Sequence, residues 1–209
     1  MSERSPQWLA WAREIHSLSQ SGLTYSQNGY DLERYRRLQE IAAEIVAGQS
    51  AVSKEAVLES FAMQPGYITP KVDVRAAVIR DGRILLVQET ADNRWSMPGG
   101  WADIGELPSA MVAREVREES GFDVNVDKVI GIYDANRVTI EALAYYHAYK
   151  LVFLCTLTGG QARPSNETLA VDFFSLEELP PLSTRRTTRA MLEEAFAHFK
   201  DPARPAAFD

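Results

Sequence analysis

The spacing of apolar residues changes once along this chain, and that change restricts the fold to a helical piece followed by a strand-rich one. Up to about residue 63, apolar side chains recur at helical intervals, as Trp8, Trp11, Ile15 and Leu18, then as Leu32, Tyr35, Leu38, Ile41 and Ile45. This spacing predicts two amphipathic helices. Their link is the run of turn formers Ser19-Gln-Ser-Gly-Leu-Thr-Tyr-Ser-Gln-Asn-Gly29, and Gly48 is the expected stop of the second helix. A shorter third helix is expected from a Ser53 cap to Met63. The prolines and glycine of Gln64-Pro-Gly-Tyr-Ile-Thr-Pro70 then read as a linker. The expected domains are a helical one over 1–65 and a second one over 70–209.

After Pro70 the pattern is that of strands: Val72 to Arg80, a tight-hairpin signal at Asp81-Gly82, then Arg83 to Gln88. A helix is predicted from Pro108, which suits a first helical position, to Ser120, with Gly121 just past its end. Further strands are expected over Val124 to Tyr133, Leu143 to Leu157 and Leu169 to Phe174, with Gly159-Gly160 breaking between the last two. A final amphipathic helix over Leu182 to Lys200 carries Met191, Leu192, Ala195, Phe196 and Phe199. Strands flanked by helices indicate a layered α/β or α+β domain.

Composition narrows the function. Of the 209 residues, 45% are hydrophobic and 24% charged, which suffices for a proper core. With 22 Lys plus Arg against 29 Asp plus Glu, the net charge of -7 repels a phosphate backbone, so binding to nucleic acid is not expected. Small anionic ligands remain open, because a bound divalent cation inverts the local field. Cys155 is the only cysteine, which excludes an intrachain disulfide and a Cys-based zinc site. Within Leu151-Val-Phe-Leu-Cys-Thr-Leu157 it reads as a core thiol rather than a nucleophile. No stretch matches a signal peptide or a membrane span, so a cytoplasmic protein without membrane partners is expected.

The chemistry concentrates between Gly100 and Phe122. Residues three and four apart are neighbours on a helix, so Glu115, Glu118 and Glu119 share one face. Crowded carboxylates repel and raise one another's pKa unless a positive charge sits among them. Mg2+ meets that need, since it takes oxygen ligands and bridges a few carboxylates to substrate phosphates. The other face, Ala110, Val112, Ala113 and Val116, can pack on a sheet and hold the acids still. The plainer reading is a solvated face on which Arg114 and Arg117 offset the acids.

The surroundings weigh against the plainer reading. Gly100, Glu106, Arg114-Glu115, Val116, Glu118-Glu119, Gly121 and Phe122 resemble the signature of the Nudix hydrolases at all nine constrained positions. Chance agreement at average residue usage is on the order of one in a billion per window. Trp95-Ser-Met-Pro98-Gly99-Gly100 resembles the strand-to-loop entry of the same family. The resemblance implies an α/β/α sandwich with a mixed sheet over about 70–209, preceded here by a small all-helical domain. It implies a hydrolase that cleaves nucleoside diphosphates linked to another moiety, with Mg2+ or Mn2+ as cofactor. Glu115, Glu118 and Glu119 match its metal-binding glutamates, Gly99 and Gly100 the turn whose backbone approaches the metal, and Arg114 the arginine that orients a glutamate. Glu118, Glu119 and Arg114 are thus catalytic candidates. Glu106 matches a supporting glutamate, and Gly121 closes the helix. In many relatives a glutamate on a late loop is base or additional ligand. Arg163-Pro-Ser-Asn-Glu167-Thr-Leu resembles that loop, which makes Glu167 the first candidate and Glu141 the second. His147, in Ala144-Tyr-Tyr-His-Ala-Tyr149, is either a substrate contact or a hydrogen-bonded strand histidine.

Substrate choice rests on two features. ADP-ribose-specific members often carry a proline about sixteen residues past the motif glycine, and Ser109 to Arg163 contains none, which disfavours that substrate. Residues 8–15 and 22–35 resemble the N-terminal domain of a bacterial branch that includes CDP-choline pyrophosphatases. That resemblance implies hydrolysis of CDP-choline to CMP and phosphocholine by a homodimer whose extension helps to form the site. Trp8, Tyr25 and Tyr35, with Trp11 and Tyr30, are either helix-pair core or groups that stack on a base and cage a choline. Alternatives of other kinds are ADP-ribose or nucleoside triphosphate hydrolysis, and a non-catalytic nucleotide-sensing module.

Overall fold

The computed structural model describes residues 6–63, 65–135 and 147–208, which fall into two compact units. One unit holds the described residues up to Pro70 together with His147, and the other holds 71–135 and 148–208. Glu141 and the start of the run from Leu143 lie outside the described residues.

The first unit is three helices: α1 (Gln7–Tyr25), α2 (Gly29–Gln49) and α3 (Lys54–Ala62). Small residues let them pack closely, with Ala12, Ala42, Ala43 and Val46 meeting Val57 and Phe61, and Trp8 and Ile15 packed on that cluster. The turn between α1 and α2 is shorter than the turn formers imply. Ser19 and Thr24 remain helical because their hydroxyls donate back to the carbonyls of His16 and Gln20, at 2.9 and 2.8 Å. Gly22 remains helical because the Tyr35 ring fills the place of its missing side chain, 2.3 Å from an ideal Cβ. Only Ser26 to Asn28 form the turn, and the Asn28 side chain caps α2 by accepting from the Tyr30 amide. Gly48 likewise lies inside α2 rather than ending it. Ser53 caps α3 by accepting from the Ala56 amide.

The second unit is a mixed sheet between helices. Its strands are β1 (Lys71–Arg80), β2 (Arg83–Glu89), β3 (Trp95–Ser96), β4 (Phe122–Asp134), β5 (Ala148–Gly160), β6 (Thr168–Phe174) and β7 (Ala207–Phe208). The order is β3-β2-β1-β5-β4-β7, with β6 also on β2. β1 runs parallel to β5 and turns antiparallel into β2 through Asp81-Gly82, both at positive φ. Strand alternation divides β1 between two cores. Val74, Ala76 and Val78 face α4 (Pro108–Ser120) through Met111, Val112 and Val116. Ala77 and Ile79 face α5 (Arg189–Lys200) through Met191, Leu192, Ala195 and Phe196.

Two boundaries differ from expectation. Gly159-Gly160 does not break β5 but extends it, because Gly160 passes so close to Gly121 that a Cβ would lie 2.3 Å from its carbonyl oxygen. The last helix begins at Arg189 rather than Leu182, since Thr188 caps it and the preceding segment is taken up beside β3. There Trp95 donates to Pro181, Ser183 donates to Trp95, and Met97 donates to the Thr187 hydroxyl, at 2.8 to 2.9 Å.

Candidate active site

The site is built on a short ladder along one edge of β1. Val74 and Ala76 donate to the carbonyls of Gly100 and Pro98, and Ala102 donates to Val72, all at 2.8 to 2.9 Å. Gly99 falls between two of these bonds, so its own N–H points elsewhere and donates to Glu119 at 2.9 Å. Its φ is +142°, and a Cβ there would lie 2.0 Å from the Val74 carbonyl oxygen. At Gly100 a Cβ would meet the Glu115 carboxylate at 3.3 Å. The two glycines thus seat two glutamates of α4.

Helix α4 presents its acids unequally. Glu119 is 6% exposed, Glu115 is nearly buried and Glu118 stands in solvent. The sheet side is held by Met111, Val112 and Val116, whereas Ala110 is exposed, so the packing face is turned slightly from the expected one. Gly121 ends the helix at φ +77°. Arg114 organises the outer acids: its guanidinium grips Glu106 with two bonds at 3.0 and 2.9 Å, and it reaches Glu118 at 2.8, Glu115 at 3.0 and Asp103 at 3.1 Å. These acids hold the Arg114 pKa above its ordinary value, Glu106 foremost.

Across from α4 stands the loop before β6. The Thr168 hydroxyl donates to the Glu119 carbonyl at 2.8 Å and accepts from the Ser165 amide at 2.9 Å, while the Arg163 amide donates to the Ser120 carbonyl at 2.8 Å. The loop is thereby fixed to the end of the helix. The result is a cleft of about 300 Å³ lined by Arg114, Glu115, Glu118, Glu119, Ser165, Asn166 and Glu167.

Electrostatics single out the buried pair. Burial pushes Glu119 up to about 8, aided by Glu89 and Glu115 and opposed by Arg75 and the Gly99 amide. Burial also raises Glu115, opposed by Arg114 and aided by Glu118 and Glu167. Both carboxylates therefore lack sufficient positive charge as they stand. Among the described residues no three acidic, histidine or cysteine side chains are gathered closely enough to hold an ion, and Arg114 pairs with oxygens of Glu115 and Glu118. The donor set nevertheless fits a hard cation, being carboxylate oxygens on the wall of an open cleft.

A folded protein that keeps a proton on Glu119 up to about pH 8 gains stability from it below the ordinary 4.5, and loses that gain as pH rises through the interval. Relative to Glu119→Gln, the melting temperature of EDTA-treated protein is expected to fall between about pH 5 and pH 8, and added Mg2+ to restore most at the upper end. Parallel melting profiles for the two proteins would refute this.

Several residues here carried no sequence signal. Arg75, 5% exposed, faces Glu119 and is held by Asp73 at 2.9 and 3.3 Å and by the Met97 carbonyl at 3.2 Å. Asp73 is in turn held by buried Lys150. All three belong to paired strands, and only the register of β1 with β5 brings Asp73 opposite Lys150. The candidate substrate residues belong to the helical unit. Trp8 packs in the helical core, Tyr35 covers Gly22 and Tyr25 is in solvent. His147, just before β5 rather than within a strand, lines a pocket of about 240 Å³ with Arg13, His16, Phe61 and Thr69.

Comparison with known proteins agrees with this geometry. Residues 69–195 match the NUDIX domain, and residues 6–61 match a domain described as UDP-X-like, N-terminal oligomerisation. The chain belongs to the Nudix family. It is 38% identical over 202 residues to "Putative ADP-ribose pyrophosphatase YjhB" of Bacillus subtilis, covering 97% of each chain. A crystal structure of an ADP-ribose pyrophosphatase from Streptococcus suis, 38% identical, matches 68% of this chain and all of its own with a TM-score of 0.62. A crystal structure of a UDP-X diphosphatase, 28% identical, matches 99% of this chain and 100% of its own, TM-score 0.63. This Nudix protein is a pyrophosphatase hydrolase, with three helices ahead of the mixed sheet. The family typically depends on a divalent metal. No described helix is long and apolar enough to cross a membrane.

Proposed function

We propose that this Nudix protein hydrolyses the diphosphate of ADP-ribose with Mg2+, or Mn2+ in its place. The carrying observation is the seating of Glu115 and Glu119 on Gly99-Gly100 across one cleft from Glu167. The ADP-ribose names of the relatives at 38% identity support the substrate and outweigh the missing proline, whose position falls outside the described residues. A UDP-linked substrate is the second reading, favoured by the UDP-X diphosphatase that matches both units. CDP-choline, expected from the N-terminal segment, finds no support in these relatives' names.

Glu119, Glu115 and Glu118 would hold the cation, with the Gly99 backbone beside them. When bound, the cation neutralises the diphosphate and makes a coordinated water more acidic. Arg114 keeps the outer acids apart and oriented, a task for which the forked guanidinium is suited and an ammonium is not. Glu119 holds its place through the Gly99 amide, so the acid is rigid before substrate arrives. Glu167, which lines the same cleft, would take a proton from the attacking water as the phosphoric anhydride bond breaks. The helical unit, with a boundary between residues 65 and 70, would serve to join two copies as a homodimer.

The test is incubation with Mg2+ and ADP-ribose, a UDP-linked compound, CDP-choline and nucleoside triphosphates, with products identified by mass. AMP and ribose 5-phosphate, absent with Glu119→Gln, are the expected result. UMP from the UDP-linked compound alone would move the assignment to the second reading. Turnover of none would leave a nucleotide-sensing role.

A further inference from the structure

Helix α1 leaves three large apolar side chains in solvent at seven-residue intervals: Trp11, Leu18 and Tyr25 are 55%, 62% and 71% exposed. Seven residues are nearly two turns, so the three form one stripe roughly 20 Å long. The helix buries Leu9, Ala12, His16 and Ser19 instead, so folding of the helical unit does not use the stripe. Three large apolar side chains aligned in solvent on one helix face mark a surface suited to a partner.

We infer that two copies of this chain associate through this stripe, α1 against α1, across a two-fold axis at Leu18. The inference rests on the reading of residues 6–61 as an oligomerising domain. The stripe is palindromic in kind, with an aromatic ring at equal spacing on each side of a leucine. Antiparallel pairing about Leu18 sets that leucine against its copy and each Trp11 against the other chain's Tyr25, which is the self-complementary pattern a two-fold interface requires. Charge favours the same arrangement. Arg13 and Glu14 lie in the first half of α1, and Leu18 to Tyr25 carries no charge. Antiparallel pairing places the Glu14 that borders the stripe beside the uncharged half of the copy and opposes the helix dipoles, whereas parallel pairing sets Glu14 on Glu14. Helix α2 suits the role less well. Its Asp31 with Arg34, and its Arg37, Glu40 and Glu44 with Lys54, are already paired at 2.8 to 3.0 Å and would be costly to desolvate.

Cysteine cross-linking reads the axis directly, because only a residue on it meets its own copy closely enough for a disulfide. The native Cys155 is buried and does not interfere. Under mild oxidation Leu18→Cys is expected to become a covalent dimer. Trp11→Cys and Tyr25→Cys should each remain uncross-linked alone and cross-link to each other when co-expressed. By light scattering at micromolar concentration the wild-type chain is expected to be a dimer, and Leu18→Glu a monomer with unchanged helix content. A monomeric wild-type chain would remove the oligomerisation reading itself. A wild-type oligomer in which Leu18→Cys fails to cross-link, or which Leu18→Glu leaves associated, keeps that reading and overturns the stripe. If Leu18→Glu fails to fold, the cross-linking pattern alone decides.

Discussion

Glu119→Gln is expected to lower kcat/KM by on the order of a thousandfold while leaving the metal-free protein at least as stable as the wild type. The two effects have one cause. Burial places the Glu119 carboxylate where its charge is unfavourable until a cation arrives, which is why its pKa is pushed up to about 8. Glutamine has the same shape, and its carbonyl oxygen can accept from the Gly99 amide as the carboxylate does. It carries no charge to desolvate, and for the same reason it is a poor seat for a divalent ion. Arg75 loses a distant partner but keeps its two bonds to Asp73. Steady-state kinetics at saturating Mg2+ together with EDTA-treated melts would check both parts. Activity within tenfold of wild type would take Glu119 out of the chemistry, and a large drop in melting temperature would mean that the side chain is structural.

The motif helix was legible because its signals are local. Pro108 at its start, Gly121 at its end and the three-and-four spacing of its glutamates fix a helix and one acidic face without reference to the rest of the chain. The hairpin at Asp81-Gly82 was legible for the same reason. What failed were local signals overridden by packing. Gly22 and Gly160 have the composition of breaks, yet each is a glycine because another part of the chain occupies the space of a side chain, the Tyr35 ring in one case and the Gly121 backbone in the other. Ala110, expected on the packing face, is exposed and Met111 is buried instead, because the helix contacts the sheet along a slightly rotated line. The Lys150–Asp73–Arg75 array had no signal at all, since strand register is not written in either strand alone.

Gly99→Ala is expected to destabilise the fold by about 3 kcal/mol or more and to abolish turnover, far beyond the effect of the same change at Gly66. Both glycines have positive φ, +142° at Gly99 and +88° at Gly66, so both variants carry backbone strain. At Gly66 nothing lies within 4 Å of the added methyl, and the expected loss is the strain alone, about 1 kcal/mol. At Gly99 the methyl would lie 2.0 Å from the Val74 carbonyl oxygen and 2.9 Å from its carbon. These are backbone atoms in the middle of β1, which no rotamer change can move. Relief requires residues 98–102 to peel away from β1, breaking the bonds of Val74, Ala76 and Ala102. That movement also withdraws the Gly99 amide from Glu119 and the Gly100 backbone from Glu115, so the seat of both acids is lost with the ladder. Urea midpoints of the two variants against wild type separate the contributions. Equal losses at the two positions would mean that strain, and not the close approach to β1, explains the glycine at 99.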